Sequence, residues 1–274
     1  MNPLFEKIDS YSTIIAGDKT DAYLPQLNEE EFAHIKFPVI LFLQGFDVDK
    51  SCYSQFTRKL ASYGFLVLVP NHRPSGRPFL APELQQIQAV LASLVAERKS
   101  AWAEKFDHQQ VILLGHSCGG LTGLQALQEV SPNSHDISFP QLVGGVFYGS
   151  QLTGVQMQKK TGMPIALIAG NLDGIVSPDW IKKTYQHIQS VPKAYMTING
   201  ANHYGITDTA QPLGGPEEEN SPLLEQHISI HRIAHWSATF LRAYVLNDQE
   251  SRECFSCDDC KLDEYTSLLM VQDM

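Results

Sequence analysis

The sequence predicts an α/β fold with a mostly parallel central sheet and helices on both faces. Three observations predict it. Apolar runs of strand length alternate with segments of helical periodicity, the pattern of repeated βα units. Two of the runs, Phe37 to Leu43 (FPVILFL) and Phe65 to Val69 (FLVLV), are apolar throughout, as expected of strands buried on both faces. A glycine-rich segment, Gly115-His116-Ser117-Cys118-Gly119-Gly120, joins a strand directly to a helix.

The elements follow in order. After FPVILFL and Gln44-Gly45-Phe46, residues Ser51 to Tyr63 place Tyr53, Phe56, Leu60 and Tyr63 on one helix face, and Gly64 closes the helix as a C-cap. Pro70-Asn71 and Pro74 to Pro78 mark the loop after FLVLV. A long amphipathic helix is expected over Leu84 to Trp102, then a strand at Val111 to Leu114. Leu121, Leu124 and Leu127 begin the helix after the glycine-rich segment. Gln141 to Tyr148 and Pro164 to Ala169 are further strands. Pro178 suits the first turn of a helix carrying Trp180, Ile181, Tyr185 and Ile188. Ala194 to Ile198 is expected to be the last strand. A loop from Pro212 to Pro222 and one long helix from Leu223 to Leu246 complete the pattern. The 274 residues are expected to form a single domain over 1–250, followed by an acidic, cysteine-containing, flexible tail over 251–274.

Composition excludes some functions. The 43% hydrophobic and 18% charged content is that of a globular protein, and a formal net charge of -10 repels phosphate backbones, so no nucleic acid partner is expected. No run approaches the roughly 18 apolar residues of a membrane span, and the N-terminal segment lacks the basic flank and apolar stretch of a signal peptide. The expected location is therefore the cytosol. Cys52 and Cys118 are isolated, whereas Cys254, Cys257 and Cys260 cluster; an odd count of five fits reduced thiols.

The chemistry starts at Gly115-x-Ser117-x-Gly119. A serine hydroxyl needs a base to remove its proton, and the base needs a third group to orient it. Between a buried strand and a helix, Gly-x-Ser-x-Gly forms a strained elbow that exposes the serine, with Gly115 and Gly119 relieving the crowding. Catalytic groups in open α/β sheets collect at the carboxyl ends of strands, where Asp173 follows PIALIAG and His203 follows AYMTING. This yields the chain order Ser117, Asp173, His203. Asp179, in a first helical turn, and Asp208, past His203, are the alternative acids. The backbone N–H of Cys118 and that of Phe46, made accessible by Gly45, are the expected oxyanion donors. Phe46 serves equally well as a hydrophobic wall. His227, His231 and His235 repeat every four residues, which reads as one helix face; neither they nor the three clustered cysteines supply the fourth ligand of a zinc site. No metal is expected.

These residues resemble the α/β-hydrolase superfamily, and within it the branch of chlorophyllases, bacterial polyester hydrolases and platelet-activating-factor acetylhydrolases. The resemblance covers roughly Phe37 to His203. The elbow reads Gly-His-Ser-x-Gly-Gly as in that branch, Leu60-Ala61-Ser62-Tyr63-Gly64-Phe65 matches its helix end, and Gly170-Asn171-Leu172-Asp173 and Ala201-Asn202-His203 fit its acid and base segments. The chain departs at Gln44, where the family usually has His. The resemblance implies a serine esterase, lipase-like, acting on a small-molecule or lipid-like ester without a metal or organic cofactor. Acyl transfer, thioester or amide cleavage by the same triad, and a non-catalytic binding module on this fold, remain the alternatives.

Overall fold

In the computed structural model, residues 2–27, 35–96, 106–129, 141–152, 162–256 and 259–271 are described. Six parallel strands form the centre of the sheet: β3 (Phe37–Leu43), β4 (Leu66–Pro70), β5 (Phe106–His116), β6 (Leu142–Tyr148), β7 (Ile165–Gly170) and β8 (Lys193–Ile198). Before them in the chain come β1 (Ile8–Ile15) and β2 (Asp18–Pro25), an antiparallel hairpin whose turn, Ala16-Gly17, has positive φ at both residues. After them come β9 (Asp259–Lys261) and β10 (Thr266–Val271), also antiparallel. The ten described strands run β1-β2-β4-β3-β5-β6-β7-β8-β10-β9.

Side-chain alternation assigns the two faces. Ile40 and Phe42 of β3, Val67 and Val69 of β4, and Ile112 and Leu114 of β5 pack on one side, with Phe56 and Leu60 of α1 (Ser54–Ser62) and Ile230, Ile233 and Phe240 of α5 (Gln226–Tyr244). Val39 and Leu41, Leu66 and Leu68, and Val111 and Leu113 point the other way. They meet Ile87, Val90 and Leu94 of α2 (Leu84–Ala96), Leu124 and Leu127 of α3 (Cys118–Glu129), and Ile181 and Tyr185 of α4 (Pro178–His187). Both faces of the central strands are covered, so they read as continuous apolar runs. From β3 the chain moves to β4 on one side and then to β5 on the other. This reversal opens a crevice at the carboxyl ends of β3 and β5, the standard ligand position in an open α/β sheet.

Several expectations are corrected. Ala194 to Ile198 is not the last strand: Thr266–Val271 pairs antiparallel with it, and Thr266 and Leu268 are buried there. Nor is the segment 251–274 wholly a tail, since α6 (Gln249–Glu253) runs into it and β9 and β10 extend the sheet. The strand β10, TSLLMV, is a short apolar run that follows the acidic segment Asp258 to Glu264 in sequence. The N-terminal hairpin carries no strong sequence signal, because its outer strand is half polar and buries only Ile15. The helix expected at Ser51 to Tyr63 divides into a 3-10 turn at Lys50–Tyr53 and α1. The helix expected to reach Trp102 is described as far as Ala96, and residues 97–105 lie outside the described set. Of the cysteine cluster, Cys254 follows α6 and Cys260 falls within β9; Cys257 lies outside the described residues.

Candidate active site

Strand β5 ends at His116, and Ser117 follows with φ of 54°, a left-handed conformation that a non-glycine residue adopts only under constraint. Its N–H donates to Tyr148 O at 3.0 Å, and its carbonyl accepts from Gly120 and Leu121, which starts α3 at once. The turn demands its glycines. A Cβ at Gly119 would stand 2.3 Å from Leu43 O, and one at Gly115 2.7 Å from Gly120 N. The close approach at Gly119 also seats the start of α3 against the end of β3, so the Gln44-Gly45-Phe46 loop borders the elbow. Ser117 is half-buried, and its hydroxyl makes no hydrogen bond among the described residues.

Asp173 and His203 meet. Asp173 Oδ2 is 2.8 Å from His203 Nδ1, and both side chains are buried. The other carboxylate oxygen, Oδ1, accepts from Ile175 N at 3.0 Å and Val176 N at 2.7 Å. An ionised carboxylate only accepts, so Nδ1 carries the imidazole proton and Nε2 is left as the basic nitrogen. The pair lies over Gly149, where a Cβ would be 3.1 Å from His203 Nδ1 and 3.2 Å from Asp173 Oδ2. Gly149 adjoins Tyr148, whose carbonyl holds the Ser117 N–H. The three residues predicted from sequence thus gather at neighbouring strand ends.

The alternative acids are engaged elsewhere. Asp208 accepts from Ser54 N, Ser54 Oγ and Gln55 N, capping α1. Asp179 is exposed in the first turn of α4. His235 Nδ1 is 3.1 Å from the Tyr63 hydroxyl and its ring stacks on His231, an arrangement within the α1–α5 packing.

The Gln44-Gly45-Phe46 loop is tied to the His203 loop through His116. His116 Nε2 is 3.0 Å from His203 O, a carbonyl that can only accept, so this nitrogen is the donor. His116 Nδ1 therefore accepts from the Tyr53 hydroxyl at 2.9 Å, and Tyr53 Oη in turn accepts from Gly45 N at 2.9 Å. Burial, reinforced by the neighbouring His203, holds the His116 pKa well below the usual histidine value, consistent with a neutral ring in this chain. Gly45 N is committed to Tyr53 and Asp47 N to Leu80 O, while the N–H groups of Phe46 and Cys118 have no acceptor among the described residues. The Phe46 ring is 40% exposed and leans on Phe79 at 5.1 Å. Burial pushes the Cys118 thiol up to about 12, which keeps it protonated at neutral pH.

Gln44, the departure from the family pattern, is fully buried and donates from Nε2 to His72 O at 3.0 Å, fastening the loop after β3 to the loop after β4. Three contributions lacked a sequence signal: Tyr53, which reads as one more aromatic on a helix face; the Asp18–His72 pair at 2.8 Å; and Glu218, whose carboxylate accepts from His203 N and Gly174 N at 3.1 Å each. The segment Pro74 to Pro82 borders the Gln44-Gly45-Phe46 loop through Phe79 and Leu80.

The Chlorophyllase family model matches residues 30–164, just under half of the chain, from before β3 through the elbow to the start of β7. The likeness of this span is to the chlorophyllase branch of the α/β-hydrolases, on an α/β fold. The matched span includes Phe46, Ser117 and Cys118 and stops short of Asp173 and His203. A Mycoplasma pneumoniae protein whose provisional name is esterase/lipase 3 is 35% identical over 94 residues, which is 34% of this chain. The match spans 32%, about a third, of that relative's length. No helix among the described residues is long and apolar enough to cross a membrane.

Proposed function

We propose that the chain is a cytosolic serine hydrolase that cleaves carboxylic esters through an acyl-enzyme on Ser117. The observation that carries this reading is the left-handed Ser117 turn at the end of β5, next to His116, whose ring lies 4.7 Å from that of His203 in the buried Asp173–His203 pair. The Chlorophyllase match and the esterase/lipase name of the Mycoplasma pneumoniae relative point the same way.

In this mechanism Ser117 Oγ bonds to the ester carbonyl carbon while His203 Nε2 takes the hydroxyl proton. The carbonyl π pair moves onto oxygen, where the Phe46 and Cys118 N–H groups receive it. As the tetrahedral species collapses, the C–O bond to the alcohol breaks and His203 returns the proton to the leaving oxygen. Water then repeats the sequence on the acyl-enzyme, releasing the acid and restoring Ser117. Asp173 stays ionised throughout, holding the imidazole tautomer and balancing the imidazolium. The cycle consumes ester and water alone. The aromatic edge formed by Phe46 and Phe79 beside the oxyanion donors favours an apolar acyl or aryl group, and hence a small-molecule or lipid-like ester.

Initial rates on p-nitrophenyl esters of increasing acyl length test the reading. Turnover by the wild type and a loss of at least about 1000-fold in Ser117→Ala are expected. A folded wild type without turnover on any of them, or a Ser117→Ala variant that keeps its rate, would overturn it.

A further inference from the structure

Asp173 and His203 reach one another from two separate loops, and the Nδ1–Oδ2 bond between them is only as precise as the relation of those loops. Ahead of the pair the loops are joined by Gly200 N to Asn171 Oδ1 at 2.6 Å and by Leu172 N to Ala201 O at 2.9 Å, and Asn171 N donates to Ile198 O at 3.1 Å. At the pair itself the tie comes from Glu218. Glu218 Oε2 accepts from His203 N and from Gly174 N, both at 3.1 Å, so one oxygen holds the peptide of the base and the peptide immediately after the acid. Glu218 Oε1 accepts from Asn220 N at 2.8 Å.

The segment that presents Glu218 is itself anchored to the base loop. Glu218 N donates to Gln211 Oε1 at 3.1 Å, and Gln211 Nε2 donates to Pro216 O at 3.0 Å. The Tyr204 hydroxyl also donates to Pro216 O, and Asn202 Nδ2 donates to Asn220 O at 2.8 Å. Residues on both sides of His203 therefore grip the strap on both sides of Glu218. A second carboxylate beside Asp173 is electrostatically unfavourable, and the three N–H donors offset that cost with charge-assisted hydrogen bonds. At Gly174 a Cβ would fall 2.4 Å from Glu218 Oε1, so glycine is what lets the carboxylate in.

We propose that Glu218 is a positioning residue of the candidate active site, clamping the acid and base loops through its shared carboxylate oxygen so that the His203 ring is held in register with Ser117. The inference rests on the esterase reading for its kinetic consequence. Glu218 touches neither substrate nor a reacting atom in this scheme. It acts on the frequency with which His203 is aligned, which lowers kcat when lost and leaves substrate affinity alone.

The test compares Glu218→Ala, which removes the acceptor, with Glu218→Gln, which keeps an amide oxygen for the two N–H groups and removes the charge. Glu218→Ala is expected to lose about 10- to 100-fold in kcat with KM within about 2-fold, and Glu218→Gln to stay within about 3-fold of wild type. If the alanine variant does not fold, Glu218→Asp, one methylene too short to reach both loops, replaces it with the same expectation. The low-field ¹H resonance of His203 Nδ1–H, assigned by its loss in Asp173→Asn, reads the same geometry without turnover. It should persist in Glu218→Gln and broaden or shift in Glu218→Ala. An alanine variant with wild-type kcat and resonance overturns the clamp while the Ser117→Ala result upholds the esterase. A glutamine variant as impaired as alanine also overturns it, because charge and not the shared acceptor would then be at work. A wild type without turnover defeats the esterase reading, and the resonance still decides the clamp.

Discussion

Among the described residues, two aspartate–histidine pairs with buried rings share the same bond length and differ in their surroundings. Asp18 Oδ2 to His72 Nδ1 and Asp173 Oδ2 to His203 Nδ1 are both 2.8 Å, both rings are buried, and both histidines follow the carboxyl end of a sheet strand. The acids differ. The Asp173 side chain is fully buried and its second oxygen is held by two backbone N–H groups, whereas Asp18 is partly exposed at the start of β2. The bases differ more. The His203 ring lies 4.7 Å from that of His116, which adjoins Ser117, while His72 Nε2 is enclosed without a hydrogen-bond partner among the described residues. His72 contributes to the site through its carbonyl, which holds Gln44. On the esterase reading, the pair at His203 serves a nucleophile through Nε2, and the pair at His72 is a structural bracket.

The largest effect expected from this contrast is that of Asp173→Asn. An amide in place of the carboxylate no longer imposes the Nδ1–H tautomer, and kcat/KM for ester hydrolysis should fall about 1000- to 10,000-fold in steady-state assays. A fall under about 10-fold would place Asp173 with the brackets.

A third histidine, without a carboxylate, sharpens the comparison in a different observable. His235 is paired with the Tyr63 hydroxyl, and burial, aided by His231 and Arg232 and opposed by Asp263, lowers its pKa to about 4. A histidine depressed in the folded state binds protons more readily when unfolded. Its contribution is intact above its ordinary value near 6.5 and is lost as pH falls from there toward 4. The loss is at most about 3 kcal/mol, reduced by the ring's partial exposure. Urea unfolding at pH 7 and pH 4.5 should show a smaller acid loss in His235→Gln than in wild type. Equal losses would show that His235 is not the group being titrated.

The smallest effect is expected from Asp18→Asn. Ester hydrolysis should stay within about 3-fold of wild type, with a stability cost of about 1 kcal/mol in urea unfolding from a weakened buried bond. A catalytic loss comparable to that of Asp173→Asn would erase the distinction between the pairs.

How much of this was legible in the sequence follows from how local each signal is. The central strands announce themselves because burial on both faces leaves no polar position in FPVILFL or FLVLV. Ser117, Asp173 and His203 could be read because strand ends, glycine spacing and chain order are properties of short segments. The edges were harder. Ile8–Ile15 buries only Ile15 among interleaved polar residues, and Thr266–Val271 is a short apolar run beside an acidic segment, so neither carries a long strand signal. The support of the site was not legible at all. Tyr53 meets His116 across 63 residues, Gln44 meets His72 across 28, and Glu218 reaches Gly174 across 44; no local pattern encodes such pairings. Asp208 shows the converse, an acid close to His203 in sequence that the fold spends on capping α1.

The central claim is that Ser117, and not the neighbouring Cys118 thiol, is the nucleophile served by His203. Labelling with a fluorophosphonate probe followed by peptide mass spectrometry tests it most directly. The account predicts a single adduct on Ser117, unchanged in Cys118→Ala and absent in Ser117→Ala. An adduct on Cys118, labelling that survives Ser117→Ala, or no labelling of the folded wild type would contradict it.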